Sequence, residues 1–381
     1  IGIAYALANQ SQDSSSSSRA PSFGEAFGTV TLNHDGPIES AELSPDGRWV
    51  VTLDPPANPA AAQVAEVWNA WTGQHLARFD TDNGVAFSPD GSTVASASFD
   101  GDRKVTTVNG TPLGLQSGGS TVVSLRKTSS AEQVATLPGH QGAAYMLFSP
   151  DSRIIATASM LASGHPFDAP IRLWEASSGR LLATLDNRSD GIQSMQFSRD
   201  GKVLVTGAAG GVTKVWDVAS GRATATLTNA WFPLWISPDG KAFVDQQPSG
   251  KGGFELRSAP DGRLLASVAD AGTFAGFTTN STAYATNAGG ALRLFDLATR
   301  KLRAVLTAPV QGDPVFSPDG NLIAAVGKDG LPAVFDATTG QGLTQLTGHT
   351  GRVTDVTFTP DGQLLLTTGA DKTVRRWYVR R

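Results

Sequence analysis

Short runs of alternating apolar and polar residues fill this chain from about residue 28 to its end. Residues 143–185 show the unit: Ala143–Phe148, Ile154–Ala158, Ile171–Glu175 and Leu181–Leu185 are four such runs, separated by Pro, Asp, Gly and Ser. A period of two over runs this short predicts half-buried strands, and the residues between them supply turn chemistry. No segment of useful length carries the period of an amphipathic helix.

The turns repeat. Ser-Pro-Asp-Gly, preceded by an apolar residue, places its Asp at Asp46, Asp90, Asp239 and Asp319, with variants at Asp151, Asp200 and Asp361. A degenerate copy, Thr278-Thr279-Asn280-Ser281, fills the one gap. Pro presets φ and Gly accepts positive φ, so the sequence suits a tight reversal. A second landmark lies in the third run of each unit, where Trp68, Arg126, Trp174, Trp216, Arg257, Phe295, Phe335 and Trp377 fall at one equivalent place. Eight units of four strands predict an all-β, eight-bladed propeller, or seven blades if the unit around Asn280 is an insertion.

The repeat resembles the WD40 family over residues 28–378. The Trp-Asp pair stands at Trp216-Asp217, with Trp174-Glu175 and Trp68-Asn69 close to it; the Gly-His landmark stands at Gly139-His140 and Gly348-His349, and as Asn33-His34. In that family the repeat is offset from the blade. Gly28–Leu32 looks like an outermost strand leading into a Gly-His, while the last unit holds only Val353–Phe358, Leu364–Thr368 and Val374–Tyr378. The expectation is that Gly28–Leu32 completes the last blade and removes an exposed strand edge. Residues 1–27 are then a flexible linker and 28–381 the propeller.

His349, Asp371 and Thr367 imitate a hydroxyl–His–acid triad, and so do His140, Asp168 and Thr157. Geometry identifies a triad, not the presence of three residue types. The resemblance implies a buried structural network instead, completed by Trp377 and Trp174, each six residues after its Asp. Buried polar groups need hydrogen-bond partners, and such a network supplies them. Arg126, Arg257, Phe295 and Phe335 at the Trp place imply incomplete networks in four blades and more reliance there on apolar packing.

Composition narrows the choice of function. The net charge is −4, and the Arg375, Arg376, Arg380 and Arg381 cluster reads as one strand's exposed face plus a tail, so nucleic acid is not expected as a partner. Without cysteine there are neither disulfides nor thiolate metal sites. Walker A, His-Glu-x-x-His and Gly-x-Ser-x-Gly motifs are all missing. Asp80-Thr81-Asp82-Asn83-Gly84 opens like a calcium loop, but no acidic residue follows at the EF-hand spacing, and it reads as a polar loop. His75 and His165 have no metal-ligand spacing to another His. No catalytic, cofactor or metal residue is therefore assigned. Ile1–Ala8 is apolar but too short to cross a bilayer, so no membrane insertion is expected within this sequence. It fits the trailing end of a membrane helix, which makes tethering one expectation against a cytoplasmic default; Gln10–Ser22 reads as the linker after it.

The chain's extra length falls in the connections of one face, at Asp54–Gln63, Asp100–Ser120, Leu161–Pro170 and Gln246–Gly253. Long loops on one rim are where repeat scaffolds carry function. Leu113, Leu115, His165 and Phe167 in these insertions, with Trp231 and Phe232 opening the inner run of unit five, are candidate contacts for a protein or peptide. The reading is a non-catalytic interaction scaffold, with a ligand or glycan sensor, or a propeller hydrolase or lyase, as alternatives. The inner runs Ala143–Phe148, Gln193–Phe197 and Val353–Phe358 offer such an enzyme few acids or bases. Nothing indicates an oligomeric state.

Overall fold

The structure, a computed structural model, describes residues 22–56, 62–82, 84–100, 104–108, 111–116, 120–141, 143–160, 170–186, 192–208, 210–228, 231–246, 253–259, 261–269, 272–306 and 309–379. Eight four-stranded antiparallel sheets form the blades of a ring. From inner to outer strand, blade 1 is Ser40–Leu43, Trp49–Leu53, Gln63–Asn69 and His75–Thr81, and blade 2 is Val85–Phe87, Thr93–Asp100, Ser120–Lys127 and Gln133–Gln141. Blade 3 is Ala143–Phe148, Ile154–Met160, Ile171–Glu175 and Leu181–Leu185, and blade 4 is Ile192–Phe197, Val203–Ala208, Val212–Asp217 and Arg222–Thr228. Blade 5 is Trp231–Ile236, Ala242–Gln246, Phe254–Ser258 and Leu264–Val268, and blade 6 is Thr273–Phe277, Ala283–Ala288, Ala291–Asp296 and Leu302–Val305. Blade 7 is Val310–Phe316, Leu322–Gly327, Pro332–Asp336 and Gly342–Gln345. Blade 8 takes Val353–Phe358, Leu364–Gly369 and Thr373–Tyr378 from the end of the chain, and its outer strand, Ala26–Thr31, from the beginning.

The unit around Asn280 is thus a full blade, and the ring has eight. Its degenerate turn works as the others do. In each turn the Ser or Thr hydroxyl donates to the Asp or Asn side chain two residues on, as in Ser44 to Asp46 at 2.6 Å and Thr278 to Asn280 at 2.9 Å. The residue after that acid or amide adopts positive φ, which glycine accepts without strain. In two blades it is serine, Ser152 at 62° and Ser281 at 54°. There the hydroxyl accepts a backbone N–H from the preceding blade's turn, Asp90 at 3.0 Å and Asp239 at 2.9 Å. That bond between blades offsets a backbone conformation that costs a non-glycine residue about 1–2 kcal/mol.

The third-strand landmark is equally regular. Each of its eight residues pairs with the second residue of the neighbouring strand: Val50 with Trp68, Val94 with Arg126, Ile155 with Trp174, Leu204 with Trp216, Phe243 with Arg257, Tyr284 with Phe295, Ile323 with Phe335 and Leu365 with Trp377. On its other side every one of them sits at a β-bulge with the outer strand. A bulge adds local twist, and here it recurs blade after blade. The closing strand keeps it, with the register shifting between Ala26 and Gly28. That strand begins before the Gly28 boundary expected for the linker. Phe23 packs against the cluster that holds Leu346 and Val379, and the Gly24 N–H bonds to the Tyr378 carbonyl at 2.6 Å, so chain preceding Gly28 belongs to the blade.

The core lies between blades more than within them. Trp68 of blade 1 packs with Leu366 and Val374 of blade 8 and with Val30 and Leu32 of the closing segment. Trp174 packs with Val123, Leu125 and Leu137 of blade 2, and Trp216 with Leu173 and Leu185 of blade 3. Each blade therefore buries one face on its predecessor.

Candidate functional site

In an antiparallel meander, the connections between blades and those between second and third strands emerge on the same face. The longest of the latter carries structure of its own. Between the second and third strands of blade 2, Lys104–Val108 and Thr111–Gln116 pair as an additional hairpin. The Asn109-Gly110 dipeptide between two β-prone runs is the strongest short-range hairpin signal, and it marks this element in the sequence. Leu115 pairs with Val105, and Leu113 falls where the register shifts between Pro112 and Gly114. Trp231 and Phe232 begin the inner strand of blade 5, Trp231 paired with Gln246, at the end that meets the same face. His165 and Phe167 lie outside the described residues. The candidate contacts thus fall in separate places on the rim, with blades 2 and 5 well apart around the ring.

Behind that face lie the polar networks. In blade 8, His349 Nε2 is 2.7 Å from Thr367 Oγ1, its Nδ1 is 3.0 Å from Asp371, and the Trp377 indole donates to Thr367 at 3.0 Å. Burial works to raise Asp371, but bonds from Thr373, the Thr350 N–H and His349 outweigh it and bring its carboxyl to about 2. In blade 3, His140 Nε2 is 2.7 Å from Thr157 Oγ1, to which Trp174 donates at 2.8 Å; Asp168 lies outside the described residues. Burial, helped by nearby Arg172, pushes the His140 imidazole down to about 4, so it is neutral. Each Thr hydroxyl is pinned between an imidazole and an indole. That arrangement fastens strands to one another.

Blades 1 and 4 keep the indole bond, Trp68 to Thr52 and Trp216 to Thr206, both at 2.9 Å. The other four blades show what replaces it. By register the Thr place is taken by Ser96 in blade 2, Asp245 in blade 5, Thr286 in blade 6 and Ala325 in blade 7. Blade 7 is apolar at both positions, Ala325 with Phe335, as expected. Blade 6 keeps Thr286 opposite Phe295, and its buried hydroxyl finds no partner among the described residues. Blade 5 departs from the expected apolar packing. Arg257 Nε lies 3.4 Å from the buried Asp245 carboxylate and its guanidinium also meets Glu255, so an ion pair occupies the slot. In blade 2 the Arg126 guanidinium sits over the Phe79 ring at 5.2 Å and donates to the Ala131 carbonyl.

The central channel holds acids that the inner runs did not lead us to expect. A cavity of about 600 Å³ between blades 7 and 8 is lined by Asp313, Lys328, Asp329, Arg352 and Asp355 among others. Glu42, on the adjoining strand of blade 1, meets channel solvent but has protein around it. Burial first, then repulsion from Asp355, raises its carboxyl to about 7. Asp355 accepts the Leu43 N–H at 2.8 Å and the Val356 N–H at 2.7 Å. It thereby stitches blade 8 to blade 1, much as Gln196 of blade 4 accepts the Ile236 N–H of blade 5 at 2.6 Å. The calcium-like stretch is also used internally: Asp82 accepts the Phe99 N–H and the Thr81 hydroxyl donates to the Gly84 carbonyl, both at 2.7 Å.

One group was not legible from spacing. His34, Asp54 and Glu66 of blade 1 come together at the start of the closing junction, their ligand atoms within 4.8 Å of one another.

A family model described as "WD domain, G-beta repeat" matches residues 78–102, 131–165, 179–217 and 340–378. The chain is 23% identical over 260 residues to the Serine-threonine kinase receptor-associated protein of Gallus gallus, covering 66% of this chain and 71% of that protein. It is 23% identical over 233 residues to Periodic tryptophan protein 2 of Arabidopsis thaliana, covering 60% of this chain and 21% of that protein. A stretch of 58 residues is 48% identical to Nuclear distribution protein PAC1 of Arthroderma benhamiae, covering 15% of this chain and 13% of that protein. The chain therefore spans about a fifth or less of the length of the last two relatives. Among solved structures, the crystal structure of the computationally designed Ika8 protein shares the fold, with a TM-score of 0.64 at 21% identity over 92% of this chain and 98% of that one.

Proposed function

We propose that this WD40-repeat β-propeller is a non-catalytic scaffold that binds a protein or peptide on the face carrying its blade-to-blade connections. The observation that carries the reading is the hairpin Lys104–Val108/Thr111–Gln116, secondary structure added to a regular ring at that face and needed by no blade. Strand pairs projecting from a rigid platform suit recognition of another chain. The two hydroxyl–His constellations support the same reading, because each Thr hydroxyl is engaged by both an imidazole and an indole. So does the Gallus gallus relative, which its name associates with a receptor.

The test is to replace residues 104–116 by Gly-Ser-Gly and repeat affinity capture from a lysate with the intact and shortened proteins. Loss of specifically captured chains, at an unchanged Tm, is the expected result. Capture that survives the deletion would remove the hairpin from the binding face.

A further inference from the structure

His34 stands where the closing strand passes into blade 1, and its side chain is 1% exposed. In blades 3 and 8 the corresponding imidazole aims Nε2 at a Thr hydroxyl. In blade 1 the ring is turned. Its Nδ1 lies 3.0 Å from the Gly36 carbonyl. A carbonyl can only accept, so Nδ1 carries a proton, and in the neutral tautomer that this selects Nε2 presents a lone pair. That lone pair faces Asp54 Oδ1 at 2.7 Å and Glu66 Oε2 at 3.7 Å. His34 Nε2 and Asp54 Oδ1 are both buried, and neither has a hydrogen-bond partner among the described residues. In that tautomer two acceptors meet, and a third lies beside them.

We propose that His34 Nε2, Asp54 and Glu66 form a binding site for a divalent transition metal of the zinc class. One imidazole and two carboxylates are a zinc-type donor set. Tetrahedral zinc bonds of about 2.0–2.2 Å set ligand atoms about 3.3 Å apart. The separations from His34 Nε2, 2.7 and 3.7 Å, fall on either side of that value, and all three ligand atoms already lie within 4.8 Å of one another. The outer contacts fit as well. An imidazole ligand ordinarily donates its other N–H to a carbonyl, which fixes the tautomer, and Gly36 supplies that carbonyl. His75 Nε2 and Arg78 Nη1, each 3.7 Å from a Glu66 oxygen, position that carboxylate. Arg78, and Lys372, whose Nζ donates to the His34 carbonyl at 2.7 Å, bring positive charge that opposes a cation. Both reach the site through atoms other than the proposed ligand atoms.

Three protein ligands leave a fourth position for water or for a donor from a partner. The three also come from separate pieces of chain. His34 follows the strand that closes blade 8, Asp54 directly follows the second strand of blade 1, and Glu66 lies on the third. A bound ion therefore clamps the closing segment to blade 1.

The experiment uses tag-free full chain stripped with chelator, dialysed against Zn²⁺ and assayed for bound metal, with Co²⁺ as a spectroscopic substitute. We expect about one equivalent of zinc, a higher Tm when it is bound, and visible bands of four-coordinate cobalt. Asp54→Asn and Glu66→Gln should abolish binding with circular dichroism unchanged. His75→Gln, which removes a contact to Glu66, should weaken binding about tenfold. Wild-type protein that takes up no zinc and leaves cobalt six-coordinate overturns the proposal, whatever the variants do. An equivalent of zinc that survives both Asp54→Asn and Glu66→Gln overturns it too.

Discussion

Blades 5 and 8 fill the same two positions with opposite chemistry. In blade 8 a neutral hydroxyl, Thr367, accepts from an indole and meets an imidazole. In blade 5 a buried carboxylate, Asp245, meets a guanidinium that Glu255 also holds. Both solutions leave the ladder register and the neighbouring bulge intact. The slot therefore favours mutual satisfaction of its two occupants over any particular pair. Blade 7 satisfies it with Ala325 and Phe335, which have no polar atoms to pair. Blade 6 is the mismatch, a hydroxyl opposite a ring that cannot donate.

The neutral pair of blade 8 should be the more costly to disrupt. Thr367→Val keeps the shape but strands the Trp377 indole N–H and the His349 Nε2, both buried. A loss of about 3 kcal/mol in urea unfolding is expected, and a loss within error would mean that the network contributes nothing. Next comes the charged side. Asp245→Ala should cost about 2 kcal/mol, less than a fully buried pair because Glu255 still holds Arg257. Asp245→Thr together with Arg257→Trp should recover most of that cost, giving a coupling of about 1–2 kcal/mol in a double-mutant cycle. Additive single effects would show that the slot does not act as a unit.

Blade 6 should respond in the opposite direction. Thr286→Val removes an unpartnered hydroxyl and should leave stability unchanged or raise it by up to about 1 kcal/mol, read as a higher urea midpoint. Tyr284, whose buried hydroxyl is also unpartnered and pushed up to about 12, should tolerate Phe equally well. The smallest effect belongs to the channel. Glu42 holds its proton up to about 7 in the fold, against 4.5 when unfolded. The stability it contributes is complete below 4.5 and is lost as pH rises through 7. A melting series from pH 5 to pH 8 should show a downward slope that Glu42→Gln makes shallower; equal slopes would remove Glu42 from the account.

Most of this was open to a reader of the sequence, for a physical reason. Turns and third-strand landmarks recur because every blade solves the same packing problem. Even Thr278-Thr279-Asn280-Ser281 kept a hydroxyl and a short amide at the positions that make the turn. The closing strand was legible from its likeness to the segment before Gly348-His349, but its start was not. Phe23 and Gly24 are held by contacts with the far end of the chain, which no local pattern records. The Asn109-Gly110 hairpin carried a local signal that the length of the insertion obscured. Asp245 with Arg257, and His34 with Asp54 and Glu66, are pairings made by register. They become neighbours only when strands are laid side by side, and the turned His34 ring has no signature in sequence at all.

The closing strand has a consequence for the order of events in synthesis. Val30 pairs with Val374, so the first strand made waits for the last. At about 5–20 residues per second, roughly 20–70 s pass between the two. During that interval both edges of the emerging ring stand open, and blade 1 lacks the neighbour that buries Trp68. Translation speed, and whatever shields the two edges meanwhile, therefore belong among the determinants of how much of this protein reaches its native ring.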